Sequence, residues 1–174
     1  MQVATRFSVF IATTLDGFIA RPDGRVDFLS SVEREGEDYG YAKFFDSIDT
    51  LVVGRKTYET ALSFPSWPYG SKRVVVMTTQ KCAPKYDETF FSGTATELAA
   101  TLRDRKRVYV DGGSVIRQFL AEKILTDLTI SVLPIMIGSG VRLFGDLPND
   151  VKLELIRMQS FDSDLVQLEW VPRY

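Results

Sequence analysis

Short, uniformly apolar segments recur along this chain and end in polar or glycine-containing corners. The clearest are TLVVG at 50–54, RVVVMT at 73–78 and RVYVD at 107–111, and RFSVFIAT at 6–13 has the same character. A strand that is apolar on both faces has to be covered on both faces, which is typical of the parallel sheet of an α/β protein. The pattern therefore predicts strands buried between two layers of helices.

Helical stretches alternate with these strands, and the third has the clearest start because Glu97 follows Thr94 by three residues, as in a capping box. A long strand interrupted near Pro134 and two alternating strands joined by the polar segment SFDSD complete the order. The sequence thus predicts one α/β domain over residues 1–174, with a mostly parallel sheet, helices on both faces and an antiparallel C-terminal hairpin. The expected helices cover 33–47, 55–63, 94–105 and 114–124.

Composition removes several classes of chemistry. The chain has no histidine and one cysteine, Cys82. A Ser-His-Asp or Cys-His nucleophile and a cysteine or imidazole metal site are therefore excluded, and we expect no metal. A net charge of -2 provides no general attraction for nucleic acid or an anionic membrane. Because no apolar run reaches the length of a membrane span and the N-terminus has no signal-peptide pattern, we expect a cytoplasmic protein.

Three corners that follow strands carry groups that suit an anionic ligand. The carboxyl ends of parallel strands meet at one edge of a sheet, where the free N–H groups of helix N-termini favour anions. Arg and Lys in the first corner suit phosphate oxygens, so the set indicates an extended ligand with several phosphates, such as a dinucleotide. A glycine at such a corner is most often only a tight turn, and neither glycine corner matches GxGxxG or GxxxxGK(S/T). The corners are Gly54-Arg55-Lys56-Thr57, Thr78-Thr79-Gln80-Lys81 and Gly112-Gly113-Ser114.

Five segments, in order, resemble the dihydrofolate reductase superfamily, and the chain is most similar to the branch of the riboflavin-biosynthesis reductase (RibD C-terminal domain). The resemblance implies a dihydrofolate reductase-like three-layer fold, with about eight strands and NADPH lying across the strand ends. It also implies an NADPH-dependent oxidoreductase of a small nitrogen heterocycle, resembling 5-amino-6-(5-phosphoribosylamino)uracil reductase. Dihydrofolate reduction proper and a non-catalytic nucleotide-binding protein are the alternatives. The segments are FIATTLDGFIA (10–20), DTLVVGRKTYE (49–59), VVVMTT (74–79), VYVDGGSVIRQFL (108–120) and LTDLTISVLPIMIGSGVRLF (125–144).

The resemblance also assigns parts of the cofactor to residues. Ala12 would meet the nicotinamide carboxamide, and Thr78 and Thr79 would border the adenosine ribose. Gly112 and Gly113 would be joined by a cis peptide bond and pass under the pyrophosphate, where a Cβ would intrude. The expected cofactor-binding set is Ala12, Gly54, Arg55, Lys56, Thr57, Thr78, Thr79, Gly112, Gly113, Ser114 and Val115.

Two carboxylates are candidates for assisting protonation of a substrate. Asp38 precedes Gly54 by 16 residues, the spacing of the helix carboxylate in dihydrofolate reductases, and Asp16 lies in the LDG loop shared with the riboflavin branch. Both are also explained by ordinary structure, because Asp before Gly is a common turn residue and helix-surface carboxylates are usually solvated. Arg21 and Arg25 are the candidates for binding a substrate phosphate. Their loop, RPDGRVDF, lacks the Pro-Trp pair of dihydrofolate reductases, which disfavours folate.

The last two strands carry many large apolar side chains. One face of these strands should pack on the core, which accounts for part of the set. The related branch dimerises, so we expect a homodimer. The residues concerned are Leu155, Ile156, Met158, Leu165, Leu168 and Trp170.

Overall fold

The structure is a computed structural model that describes residues 4–174, whose strands form one large sheet and one two-stranded ribbon. In chain order the strands are β1 (Arg6–Thr14), β2 (Phe18–Ala20), β3 (Thr50–Gly54), β4 (Arg73–Met77), β5 (Thr89–Phe91), β6 (Arg107–Asp111), β7 (Asp127–Leu133), β8 (Val141–Arg142), β9 (Lys152–Ser160) and β10 (Val166–Arg173). The α-helices are α1 (Tyr41–Ser47), α2 (Arg55–Leu62), α3 (Ala95–Thr101) and α4 (Gly113–Ala121), and a 3-10 helix covers Asp27–Val32.

The large sheet has the strand order β5-β4-β3-β6-β1-β7-β10-β9. Neighbouring strands from β5 to β7 are parallel, whereas β10 runs antiparallel to both β7 and β9. This eight-stranded, mostly parallel sheet with an antiparallel C-terminal hairpin confirms the predicted fold class. Because β3, β6 and β1 are neighbours and parallel, their carboxyl ends meet at one edge of the sheet.

Apolar side chains fill both sides of the sheet. On one side, α3 and α4 contribute Leu98, Ile116 and Phe119 to a buried cluster with residues of β1, β6 and β7. On the other side, α1 and α2 contribute Phe44 and Tyr58 to a cluster with residues of β3 and β4. The helices therefore lie on both faces, as predicted. Within residues 4–174, none of them combines the length and the apolar character needed to cross a membrane.

The first helix is shorter than the sequence predicts. The predicted segment 33–47 becomes helical only at Tyr41, because Gly36, Tyr39 and Gly40 adopt φ values of 76°, 56° and 82°. A right-handed helix cannot continue through positive φ. The residues just before α1 instead form an irregular turn, which we call the pre-α1 turn (residues 33–40).

Smaller differences from the prediction occur at element ends. The strand predicted over 125–138 ends at Leu133, directly before Pro134, since proline has no N–H for the ladder. The third helix has the expected capping box but ends at Thr101. The ribbon of β2 and β8 was not predicted, because strands of two or three residues carry no readable periodicity.

Hydrogen bonds fasten the pre-α1 turn to the C-terminal hairpin. The Tyr39 hydroxyl donates to the carbonyl of Val32 and lies 2.9 Å from Ser163 Oγ. On β10, Gln167 Nε2 donates to the carbonyl of Tyr39 and to Ser131 Oγ on β7, both at 3.0 Å. The turn is thus held by residues that follow Tyr39 by 124 and 128 positions in the chain.

The apolar residues of the last two strands divide between core and surface. Leu165 is buried within the chain, whereas Leu155, Ile156 and Met158 on β9 are exposed. Since β9 is the last strand of the sheet, these exposed side chains lie along a sheet edge.

Candidate functional site

A long cleft follows the carboxyl ends of the parallel strands. It runs from the N-termini of α2 and α4 to the pre-α1 turn, past the ends of β1 and β6. Its volume of about 1460 Å³ exceeds the roughly 300–1,000 Å³ of a pocket for one small ligand. Two ligands can therefore lie end to end in it.

One end of the cleft is built from two helix N-termini, and we call it the helix end. Neither α2, which follows Gly54, nor α4, which follows Gly112, has a side chain that caps its first turn. Their first N–H groups remain for water or a ligand, and the helix dipoles favour an anion there. The cleft is lined by all the residues predicted to bind the cofactor: Ala12, Gly54, Arg55, Lys56, Thr57, Thr78, Thr79, Gly112, Gly113, Ser114 and Val115.

Gly112 is where the two helix corners touch. Its φ of +97° is strained for a residue with a side chain, and a Cβ there would lie 2.5 Å from Thr57 Oγ1 on α2. The predicted cis peptide bond between Gly112 and Gly113 is wrong, because residues 4–174 contain no cis peptide. The left-handed region at Gly112 redirects the chain into α4 instead.

Gly113 has a different reason to be glycine than the one predicted. It is buried, and a Cβ there would lie 2.7 Å from the carbonyl oxygen of Arg142 on β8. Arg117 Nη1 also donates to that carbonyl at 3.1 Å. Gly113 therefore permits close packing of α4 against β8, rather than leaving room for a phosphate.

Positive charge is present at the helix end, but it is partly neutralised. The Arg55 guanidinium forms an ion pair with Glu59 one turn along α2. Lys56 is exposed beside it, and Arg117 on α4 also lines the cleft. Lys81, which follows the third corner, lies outside the cleft lining. The groups available to an anion are thus main-chain N–H groups with two or three cations around them.

Directly before Gly112, Asp111 terminates β6 and lines the cleft among tyrosines. Burial disfavours the charged carboxylate and raises the pKa of Asp111 to about 6, although a main-chain N–H partly offsets this. Burial, and then the charge of Asp111, raises the pKa of Tyr41 to about 12 and raises that of Tyr69 as well. The buried Tyr109 hydroxyl donates to the carbonyl of Phe10 at 2.8 Å. Asp111 can therefore hold and release a proton within about a pH unit of neutrality.

Sequence reasoning missed Asp111 because an aspartate before a glycine is an ordinary turn residue. The available signal was its position, since it is a carboxylate that ends an apolar strand at the edge where ligands bind. Two of its tyrosine neighbours, Tyr41 and Tyr69, come from distant parts of the chain.

The two predicted carboxylates are placed differently. Asp16 lies outside the cleft lining and holds two loops together. It accepts from Thr14 Oγ1 at 2.5 Å and from the N–H groups of Ile137 and Gly138 at 3.1 and 2.7 Å. These bonds, led by the one from Thr14, lower the pKa of Asp16. The geometry thus gives Asp16 a structural part, and it does not bring this carboxylate to the cleft.

Asp38 does line the cleft, but it precedes the helix instead of lying on it. Its carboxylate accepts from the N–H groups of Ala42 and Gly40, both at 2.9 Å. These bonds lower the pKa of Asp38, so it stays charged at neutral pH and helps to start α1.

Comparison with known proteins identifies relatives of this chain by sequence. The family model for the RibD C-terminal domain matches residues 7–167. The uncharacterised protein YwjB of Bacillus subtilis is 35% identical over 168 residues, which covers 94% of this chain and 95% of YwjB.

Solved structures share the fold. A Shewanella sp. PV-4 protein provisionally assigned to riboflavin biosynthesis superposes with a TM-score of 0.90 at 33% identity, covering 99% of this chain and 100% of its own. A Thermotoga maritima deaminase/5-amino-6-(5-phosphoribosylamino)uracil reductase superposes with a TM-score of 0.73 at 15% identity, covering 98% of this chain and 57% of its own. The dihydrofolate reductase of Enterococcus faecalis, solved with NADP(H), superposes with a TM-score of 0.67 at 14% identity, covering 97% of each chain. The last two likenesses concern the fold alone.

Proposed function

The chain belongs to the RibD C-terminal domain family, and from this premise we propose that it is an NADPH-dependent reductase of a small nitrogen heterocycle. The family is that of a reductase domain, and two proteins of the same fold are a pyrimidine-type reductase and a dihydrofolate reductase solved with NADP(H). The observation that carries the proposal is the arrangement of one cleft. Uncapped helix N-termini line it, and the buried carboxyl group of Asp111 lies directly beside the corner that starts α4.

The helix end of the cleft fits the phosphate-bearing part of a dinucleotide. The N-termini of α2 and α4 come together where Gly112 faces Thr57, since a Cβ on Gly112 would lie 2.5 Å from Thr57 Oγ1. Arg55, Lys56 and Ser114 would hold phosphate oxygens beside them. Ala12, on the central strand β1, would meet the nicotinamide.

NADPH supplies a hydride when it is bound, and the protein has to align the acceptor and manage one proton. Asp111 lies at the end of β6, next to the strand β1 that carries Ala12. A carboxyl group with a pKa near 6 can donate a proton to the acceptor close to neutral pH. Burial, and then the charge of Asp111, raises the pKa values of Tyr41 and Tyr69, so both hydroxyls stay protonated at neutral pH.

Titration calorimetry with NADPH and NADH, followed by NADPH oxidation with a panel of pyrimidines and pterins, tests the proposal. We expect NADPH to bind, and at least one heterocycle to be reduced. Gly112→Ala should weaken cofactor binding by the protein that stays folded, because its Cβ would push Thr57 away from the corner, and the thermal midpoint measures the stability that the strained φ removes. Met136→Ala, on a loop side chain that is exposed and outside the cleft lining, is the matched control. Absence of NADPH binding to folded protein would refute the proposal.

A further inference from the structure

The end of the cleft that would take the substrate is lined by acidic side chains, and we call it the acceptor end. Asp111, directly before the corner that starts α4, lies where this end meets the helix end, close enough for its charge to act on Tyr41. The pre-α1 turn borders it and contributes three more carboxylates on exposed residues: Glu33, Glu37 and Asp38.

Cationic side chains do little to balance this charge. Among the described residues, Arg34 is the cation that the pre-α1 turn contributes to the lining, and its Nη1 donates to the carbonyl of Glu33 at 2.7 Å. Arg21 and Arg25, the sequence candidates for binding a substrate phosphate, form ion pairs with Asp27 at 2.5 Å and Asp23 at 2.7 Å. Three cationic residues and the carboxylate of Glu59 therefore line the cleft at the helix end, whereas the pre-α1 turn contributes three carboxylates and one cation.

Aromatic surfaces complete the acceptor end. Tyr41 lies edge-to-face with Phe10, with ring centroids 5.7 Å apart, and both line the cleft with the nearly buried Tyr69. Such walls accept a flat ring, and the negative faces of aromatic rings attract cations rather than anions.

We propose that the acceptor end selects a flat heterocycle that is neutral or positively charged and carries no phosphate. The inference rests on the proposed function, since it names the substrate class of that site. A phosphate group would bring about two negative charges next to Glu33, Glu37 and Asp38, and like charges placed together discriminate against a ligand. A protonated ring nitrogen would instead be attracted by the same carboxylates.

Two probes of the same shape and opposite charge test the proposal. Benzamidinium and benzoate are titrated into nitrogen-15-labelled protein at neutral pH, with and without NADP⁺, and the amide signals of the pre-α1 turn are followed. We expect benzamidinium to bind at this end about tenfold more tightly than benzoate, the scale of one favourable charge contact near a protein surface. Equal affinities, tighter binding of benzoate, or no binding of benzamidinium would overturn the proposal.

The variant Glu33→Gln/Glu37→Gln should reduce that preference to about threefold or less. Gln keeps the oxygen that accepts from the N–H of Tyr39 at 2.7 Å, so the turn should stay folded, and the thermal midpoint checks this. Arg34→Gln is the control, because it should leave the preference unchanged or enlarge it. A preference that survives the double substitution in folded protein, or that falls in Arg34→Gln, contradicts the proposal.

A third titration uses ribose 5-phosphate on the NADP⁺-saturated protein. We expect no saturable shift at Arg34 or Glu37, and saturable binding there would reveal a phosphate site and overturn the proposal. The preference between benzamidinium and benzoate is also measured without cofactor. A failure to bind NADP⁺ would refute the reductase proposal, and the preference measured without cofactor would still test the charge proposal.

Discussion

Asp111 and Asp38 lie in the same cleft but have opposite proton equilibria. Burial raises the pKa of Asp111 to about 6, whereas the N–H groups of Ala42 and Gly40 lower that of Asp38. At neutral pH, Asp38 is therefore a fixed negative charge, and Asp111 is the carboxyl group that exchanges a proton. The environment of each carboxylate, rather than its spacing from Gly54, decides its part in the site.

Asp111→Asn tests this assignment through pH. If Asp111 donates the proton, the wild-type reduction rate should fall as pH rises above about 6, and the variant should lose about 100-fold or more in rate and have a flat profile. A wild-type rate that is independent of pH between about 5 and 8, or a variant as fast as wild type, would contradict the assignment.

Stability gives a second readout of the same substitution. The folded protein holds the Asp111 proton more tightly than the unfolded chain, in which this carboxyl group has its ordinary pKa of 3.8. Stability is therefore lost as pH rises from about 4 through 6, by at most about 3 kcal/mol. Asp111→Asn should remove this loss, so its free energy of unfolding relative to wild type should increase between about pH 4 and 8 in urea titrations.

Arg55 bears on the choice between NADPH and NADH. We expect Arg55→Ala to weaken NADPH binding by about 1.5–3 kcal/mol, the scale of charge-assisted hydrogen bonds. The same substitution should weaken NADH binding much less. Glu59→Gln is the informative partner, because it releases Arg55 from its ion pair and should strengthen NADPH binding. Calorimetric titrations with both cofactors measure this, and an equal loss for NADPH and NADH in Arg55→Ala would refute it.

At the scale of elements, the junction of β6, α4 and β8 depends on Gly113. Gly113→Ala would place a Cβ 2.7 Å from the main-chain oxygen of Arg142, so we expect a loss of about 1–3 kcal/mol in stability. NADPH affinity of the folded fraction should change little. Gly145→Ala, whose Cβ would make an ordinary 3.4 Å contact with Arg117, is the control for thermal and NADPH titrations. A loss of affinity without a loss of stability would support the phosphate explanation instead.

The strands were predictable from the sequence because buried strands consist of nearly uninterrupted apolar residues. β3, β4 and β6 are apolar on both faces, and each is covered by a helix layer on both sides. The start of α3 at Thr94 was also predicted correctly, because the hydrogen bonds of its capping box are local in sequence. The start of α1 was missed because Tyr39, which carries no local turn signal, has a positive φ and is bonded to Ser163 and Gln167 in the far hairpin.

The candidate site was predictable in position more than in chemistry. Corners at the carboxyl edge, such as Gly54 and Gly112, were found because chain order and parallel pairing determine where strand ends lie. The chemistry of Asp111 was not found, because its pKa depends on burial beside Tyr41 and Tyr69. These residues are distant in sequence, and no local pattern reports such proximity.

For the whole molecule, we propose a homodimer that uses β9. This edge strand exposes Leu153, Leu155, Ile156 and Met158, with 39–67% of each residue accessible. An exposed apolar edge strand otherwise promotes aggregation, and a second copy of the chain would cover it.

Light scattering at micromolar concentration should give the dimer mass for the wild type. Ile156→Lys/Met158→Lys should shift it to the monomer, because two charges would be buried in the interface. Met136→Lys, on a loop residue that is 70% exposed, should remain dimeric. A wild-type monomer would refute the proposal.

The bonds of Tyr39 to the hairpin also set an order of events during protein synthesis. Gln167 is translated 128 residues after Tyr39, when most strands of the sheet already exist as nascent chain. The helix end of the cleft needs chain as far as Arg142, which packs against α4, whereas the acceptor end also needs Gln167 on β10. The residues that complete the helix end are therefore synthesised before those that complete the acceptor end.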